Sequence, residues 1–247
     1  MPTIEFRPLE YSVENILSYA VKPERATTSV PDWFKQAPRF QNNGKKPVAD
    51  SYTHNLTVRH CMPFIDAMTS GYILKTSVDI FVQRDKDYVP TISFGEGSDK
   101  LPTPQLQLNP GFQSHVALKP GFDPFVYAWS VYWRLKTPEG TSSIFTQPFN
   151  QTDLPFHTLT GITDTDSWNG SDVLNVALAA GFEGTIPKGT PFVQIIPFQR
   201  EDWSFEIIES SDEKDNELRD AVGKADLMKN LDITETTCGT RKLLSKE

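Results

Sequence analysis

Cysteine is nearly missing from this 247-residue chain, with only Cys61 and Cys238, far apart in sequence. That spacing excludes a disulfide framework and a CxxC metal site, and reads as two free thiols in a reducing compartment. Histidine is almost as scarce. His54, His60, His115 and His157 have no H-x-E or H-x-x-x-H spacing, so no metal site is expected from them. Basic residues are in deficit, 24 Lys and Arg against 32 Asp and Glu, for a net charge of -8. A nucleic-acid-binding surface normally needs clustered cations, so that class of partner is not expected. No apolar run approaches the roughly 18 residues of a membrane span. No basic segment followed by an apolar one marks a signal peptide, and the expectation is an intracellular, soluble protein. Gly95-Glu96-Gly97 lacks the Lys and following helix of a phosphate loop, and no G-x-S-x-G elbow occurs.

Proline and β-forming residues are plentiful. Nineteen prolines outnumber fourteen glycines, and Phe, Thr and Val abound. This combination predicts many short strands punctuated by loops. The most ordered stretch is Leu159 to Phe198, which reads as loop, strand, turn and strand. Gly161 and Gly170 bracket a polar loop holding Asp164 and Asp166. Val173 to Leu178 is apolar on both of its alternating faces, as in a strand covered on both sides. Pro187-Lys188-Gly189 reads as a tight turn, with Pro presetting φ and Gly accepting a positive one. Phe192 to Phe198 is a second apolar strand, expected to close at Pro197.

Elsewhere, residues 1–50 read as an irregular arm. It has a short edge strand at Ile4 to Phe6, a brief helix at Ser12 to Leu17 and a helix start at Pro31, with Trp33 and Phe34 turned inward. Residues 51–208 form the predicted β-domain. Two strands are expected to join around Gly71, and Val78, Ile80 and Val82 share a face. Val126 to Leu135 reads as one long strand. Its Tyr127, Trp129 and Trp133 stripe fits core packing better than a ligand platform. Residues 95–124 read as a loop with a short strand near His115 to Leu118. The acidic tail, 209–247, carries Leu218, Val222, Ala225, Met228 and Leu231 at helical spacing.

Four segments taken in order resemble the dUTPase and dCTP deaminase superfamily. Thr69 to Leu74, with Val78-Asp79-Ile80, is similar to its first motif, Ala-Gly-Tyr-Asp-Leu and the following strand. Pro138-Glu139-Gly140-Thr141 resembles the Pro-Gly-Thr before its second. Gly161-Ile162-Thr163-Asp164-Thr165-Asp166 to Gly170 resembles its third, and Gly189 to Ile195 its fourth. The resemblance implies a mainly β fold, a β-clip barrel, here flanked by an irregular N-terminal arm and a C-terminal helix. A second resemblance, to an uncharacterised family of phage and bacterial proteins, rests on Pro31 to Phe34, Pro63 to Tyr72 and Lys188 to Phe198. It implies a place in the host cytoplasm or the virion, and no stated activity.

The enzyme pattern breaks where the chemistry would lie. The first-motif Asp that helps hold Mg²⁺ and triphosphate is replaced by Ile73. Gln147-Pro148-Phe149-Asn150 stands near the place of the second motif's Arg and Ser, and Ser167 stands at the place of the third-motif Tyr. Asp164 survives at the place of the water-activating base, but an acid beside a turn is commonly a loop organiser. Two readings follow. The first is a non-enzymatic structural or interaction protein, phage-associated and self-associating as a trimer, with other phage proteins as further partners, and with no cofactor, nucleic acid or membrane. The alternative is a nucleotide-binding or nucleotide-hydrolysing enzyme. Its catalytic residues would be Asp164 and Asp166, its ligand contacts Tyr72, Ser167 and Gln194, and its cofactor Mg²⁺.

Overall fold

Period-two apolar patterning becomes antiparallel β-strands along the described chain. The computed structural model describes residues 3–41, 56–84, 90–109, 120–167 and 173–207, together with 217, 219 and 220. The strands are β1 (Glu5–Pro8), β2 (Glu24–Arg25), β3 (Tyr72–Lys75), β4 (Ile80–Arg84), β5 (Pro90–Phe94), β6 (Leu106–Leu108) and β7 (Phe122–Ser130). They continue with β8 (Trp133–Lys136), β9 (Thr141–Thr146), β10 (Phe156–Thr158), β11 (Gly161–Thr163), β12 (Val173–Ala179), β13 (Gly184–Ile186) and β14 (Pro191–Gln199). Among the described residues up to 207, three short α-helices accompany them: α1 (Val13–Tyr19), α2 (Asp32–Gln36) and α3 (Met62–Thr69). The protein is mainly β. Among the described residues, however, the strands form separate sheets in the orders β11-β9-β14-β3-β2, β10-β12-β7-β6, β13-β4-β5 and β1-β8, and they close no barrel.

The chain divides into two compact units, Met1–Lys35 with Pro63–Arg200, and Gln36–Met62 with Glu201–Glu247. In the first, the five- and four-stranded sheets share one core, built from Leu74, Phe145, Val193 and Ile195 on one side and Tyr127, Phe156, Val176 and Leu178 on the other. Trp129 lies at its centre, with no exposed surface. Its ring meets Phe156 at 5.0 Å and Phe192 at 4.9 Å, and its Nε1–H donates to Thr158 Oγ1 at 3.0 Å. The tryptophan thus has its one donor satisfied inside an apolar shell. In the second unit, Phe40 bridges Leu56, while Trp203, Phe205 and Ile207 are exposed.

Several expected elements are present. Val173–Ala179 and Pro191–Gln199 are strands, and Val78, Ile80 and Val82 are buried together. Residues 3–35 are part of the first unit's sheets, since β1 pairs with β8 and β2 with β3, and Ile16, Ala26 and Phe34 are buried. Three expectations need correction. Met62–Thr69 is a helix, not a strand before Gly71. Ile65 and Met68 bury at helical spacing, and the Thr69 and Ser70 hydroxyls donate to the carbonyls of Ile65 and Asp66. A short apolar run does not distinguish the two periods. The single strand expected from Val126 to Leu135 is β7 and β8, which belong to different sheets. The chain crosses between them at Val131-Tyr132, where the Tyr132 carbonyl accepts from Leu9 N and its hydroxyl donates to Thr103 O. Pro197 does not close its strand. β3 pairs with β14 only as far as Ile195, so the missing proline N–H leaves no ladder bond unmade on that side. In the turn before β14, Pro187 is the first residue, its carbonyl accepting from Thr190 N at 3.2 Å, and Gly189 takes the positive φ of 86°. The expected strand at His115 to Leu118 lies outside the described residues. So does every residue of the tail stripe; the described tail residues Glu217, Arg219 and Asp220, which are helical, are not part of it.

Candidate functional site

The four motif-like segments meet in one sheet: β3, the turn into β9, β11 and β14 are neighbours. The loop after β11 is the polar end of that sheet. Antiparallel pairing sets Gly161, Ile162 and Thr163 opposite Phe145, Ile144 and Ser143, which brings the next residues, Asp164 to Ser167, beside the turn Thr137 to Thr141. Thr165 anchors the loop. It is buried, its hydroxyl lies 2.8 Å from Thr137 Oγ1 and 2.9 Å from Ser143 Oγ, and its carbonyl accepts from Thr137 N at 3.2 Å. With Thr165 turned inward, its two acidic neighbours face the other way.

Both acids meet Arg200, the residue after β14. Arg200 Nη1 donates to Asp166 Oδ1 at 3.0 Å and Nη2 donates to Asp166 Oδ2, a fork on one carboxylate. Nη1 also lies 3.2 Å from Asp164 Oδ1 and donates to Ser142 Oγ at 3.1 Å. The Gly140 N–H donates to Asp166 Oδ2 at 2.8 Å, and Lys136 Nζ donates to the Asp166 carbonyl. The Asp166 side chain is only 7% exposed. The Arg200 fork, with the Gly140 N–H, holds its carboxyl far below the usual carboxylate range, and Asp166 in turn raises the guanidinium. Asp166 is therefore an ionised acceptor with both oxygens engaged.

Asp164 is more open, its side chain 59% exposed. Ser142 Oγ donates to its Oδ1 at 2.6 Å, and its backbone carbonyl accepts from Ser167 N at 3.1 Å, closing a turn. Asp164, Asp166 and Ser167 are thus brought together. Tyr72 and Gln194 lie elsewhere in the same sheet. Tyr72 pairs with Ile195 on β14, which pairs with Phe145 on β9, which pairs with Gly161, so three strand spacings, roughly 14 Å, separate it from the start of β11. Its ring stands edge-on to Phe6 at 5.3 Å. Gln194 is buried and saturated. Its Nε2 donates to the Ala67 and Ser70 carbonyls at 2.8 and 2.7 Å, and its Oε1 accepts from Phe149 N at 2.9 Å. It ties α3 to the turn at Pro148 to Gln151.

Arg200, Ser142 and Gly140 are the members that sequence reasoning missed. Pro138 to Thr141 was read as a turn and for its resemblance to the segment before the second motif, not as a partner of an acid, and nothing near Arg200 in sequence points to an acid. The Tyr127, Trp129 and Trp133 stripe belongs to the core. His157, on β10, packs on Phe122 at 5.8 Å. Among the described residues no group of three or more His, Cys, Asp or Glu is placed to hold a metal, and no helix is long and apolar enough to cross a membrane. With both Asp166 oxygens accepting from Arg200 and Gly140, the pair Asp164 and Asp166 is a poor fit for Mg²⁺, which demands near-octahedral oxygen ligation. No protein-family model matches the chain, and no curated protein matches it.

Proposed function

We propose that this chain is a non-enzymatic structural or interaction protein, phage-associated and built on a dUTPase-like scaffold of the β-clip kind, which assembles as a trimer. The observation that carries the reading is the capture of Asp166 by Arg200 and Gly140 N–H. A carboxylate held by a fork and a backbone donor serves as a clamp between the third-motif loop and the end of β14, not as a base awaiting a proton. The adjacency of β3, β9, β11 and β14 supports the scaffold. Self-association is supported by apolar surface on the first unit. Tyr11, Val13, Leu17 and Tyr19 are all exposed on and around α1, and Ile162 is exposed on the edge strand β11. Contiguous exposed apolar surface marks sites of association.

Incubation of the purified protein with a panel of nucleoside triphosphates and Mg²⁺ tests the enzymatic side. No product is expected, and turnover that Asp164→Asn abolishes overturns the structural reading. Light scattering at micromolar concentration tests assembly, where a mass near three times 27.9 kDa is expected and a monomeric mass overturns it.

A further inference from the structure

The five-stranded sheet buries one face in the core and leaves part of the other bare. Phe145 and Ile195 point inward, so their neighbours Ile144 and Ile196 point outward. Antiparallel register sets Ile162, Ile144 and Ile196 opposite one another, a row of isoleucines across β11, β9 and β14. α3 covers this face two residues earlier on β14, where Gln194 donates to the Ala67 carbonyl at 2.8 Å. The row lies beyond that cover, with Ile144 and Ile196 half-buried and Ile162 exposed. β11 is also the edge of its sheet, paired with β9 and, among the described residues, with no strand on its other side. Nothing lies within 4 Å of a Cβ built at Gly161, so a backbone can approach this edge. A complementary piece follows β14. Residues 201–207 belong to no helix or strand and are exposed throughout. Trp203, Phe205 and Ile207 alternate with Ser204 and Glu206, the pattern of a strand with one apolar face, yet they are 86%, 88% and 83% exposed.

We propose that residues 203–207 of one copy add as a strand along β11 of a second copy, with Trp203, Phe205 and Ile207 continuing its face of Ile162, Ile144 and Ile196. This rests on the reading of the protein as self-associating and names the surfaces that meet. Each half satisfies the other. The edge carries unpaired N–H and C=O groups, and the segment holds large apolar side chains in water. Main-chain hydrogen bonds supply the pairing, and alternate side chains supply its register. A second copy is the occupant because every copy carries both halves, and because the area suffices. Trp203 and Phe205 hide about 150–250 Å² each on burial. With Ile207, the backbone and an equal area on the acceptor, the contact reaches roughly 1,000 Å², the size of a specific interface. Donor and acceptor are different surfaces of the chain. The contact is therefore heterologous and closes as a ring, of which a trimer is one.

The test uses the full chain in light scattering and in thiol cross-linking. Trp203→Ser combined with Phe205→Ser, both at exposed positions, should raise the dissociation constant of the assembly about tenfold or more. Ile162→Lys should do the same from the acceptor side, since a charge on an edge strand opposes pairing. For cross-linking, Cys61→Ser and Cys238→Ser remove the native thiols. Ile162→Cys chains coexpressed with Phe205→Cys chains should then give covalent dimers with a short bismaleimide, which neither variant gives alone. An assembly unchanged by these substitutions, with no cross-link, overturns this pairing and leaves self-association standing. A wild-type chain that is monomeric at micromolar concentration overturns both. A cross-link that forms only within single chains carrying both cysteines overturns the second copy as occupant.

Discussion

Gly71 joins α3 to β3 at a point where the chain has almost no room. Its φ is +70°, and a Cβ built there would lie 2.0 Å from the Ile195 carbonyl oxygen and 3.3 Å from Ile196 Cα. Those are backbone atoms of β14, held by β9 on one side and β3 on the other, so no rotamer relieves the overlap. Gly71→Ala first meets the left-handed backbone, which costs about 1 kcal/mol for a residue with a Cβ. The methyl then forces β3 from β14 at the Tyr72–Ile195 and Ile73–Gln194 pairs. It also strains the bonds from Ala26 N to the Gly71 carbonyl and from Gln194 Nε2 to Ser70 O. Two buried hydrogen bonds lost add about 1–3 kcal/mol each, so a total of about 3–7 kcal/mol is expected, a large part of a domain's roughly 5–15 kcal/mol. Gly97 isolates the first contribution, because its φ is +86° and nothing lies within 4 Å of an added Cβ. Gly97→Ala should cost only about 1 kcal/mol. Urea unfolding of both variants, read at matched m-values, compares them. Equal losses, or the reverse order, would refute the contact with Ile195 as the cause.

Val176 is fully buried on β12 between Tyr127 and Thr158, so Val176→Asp should cost several kcal/mol; a soluble variant with unchanged Tm would show the strand misplaced. The Tyr127 hydroxyl is buried with no hydrogen-bond partner among the described residues, and burial pushes its pKa up to about 12. Tyr127→Phe should therefore leave Tm unchanged or raise it, and a fall of several degrees would reveal a partner. The Asp166 carboxyl has a depressed folded-state pKa, so its contribution is present above the unfolded carboxylate range near ~4 and lost as pH falls toward the folded value. In calorimetry the Tm gap between wild type and Asp166→Asn should be full at pH 7 and narrow below about pH 4; a gap constant down to pH 3 contradicts the clamp.

Much of the fold was legible because its strands are strongly patterned. Val173 to Leu178 and Val78 to Val82 announce covered strands through period-two burial alone. The pattern failed where two periods coincide, as in the apolar run of α3, and where alternation survives a change of sheet, as at Val131-Tyr132. Both failures are tertiary. Side chains at 131 and 132 are buried on either side of the crossing, so hydrophobicity records no break. The loop acids were legible as a pair, but their electrostatics were not. A carboxylate beside a turn reads identically whether it is free, metal-bound or held by an arginine 34 residues away. Gln194 was equally ambiguous, since only the carbonyls of Ala67 and Ser70 decide that its amide serves packing.

The pairing of Asp166 with Arg200 is itself a consequence of hydrophobic register. β9 and β14 run antiparallel with Ile195 opposite Phe145 and Gln199 opposite Thr141. That register buries Phe145, Val193 and Ile195 in the shared core. Continuing it by one residue places Arg200 against Gly140, where Arg200 N donates to the Gly140 carbonyl at 2.8 Å. The Gly140 N–H is then directed at the carboxylate that the guanidinium also holds. A slip of β14 by one residue would turn Val193 and Ile195 out of the core and carry Arg200 to the opposite face. Core and clamp therefore stand or fall together. The same apolar side chains that select the fold also decide that these acids meet an arginine, which forks Asp166 and touches Asp164.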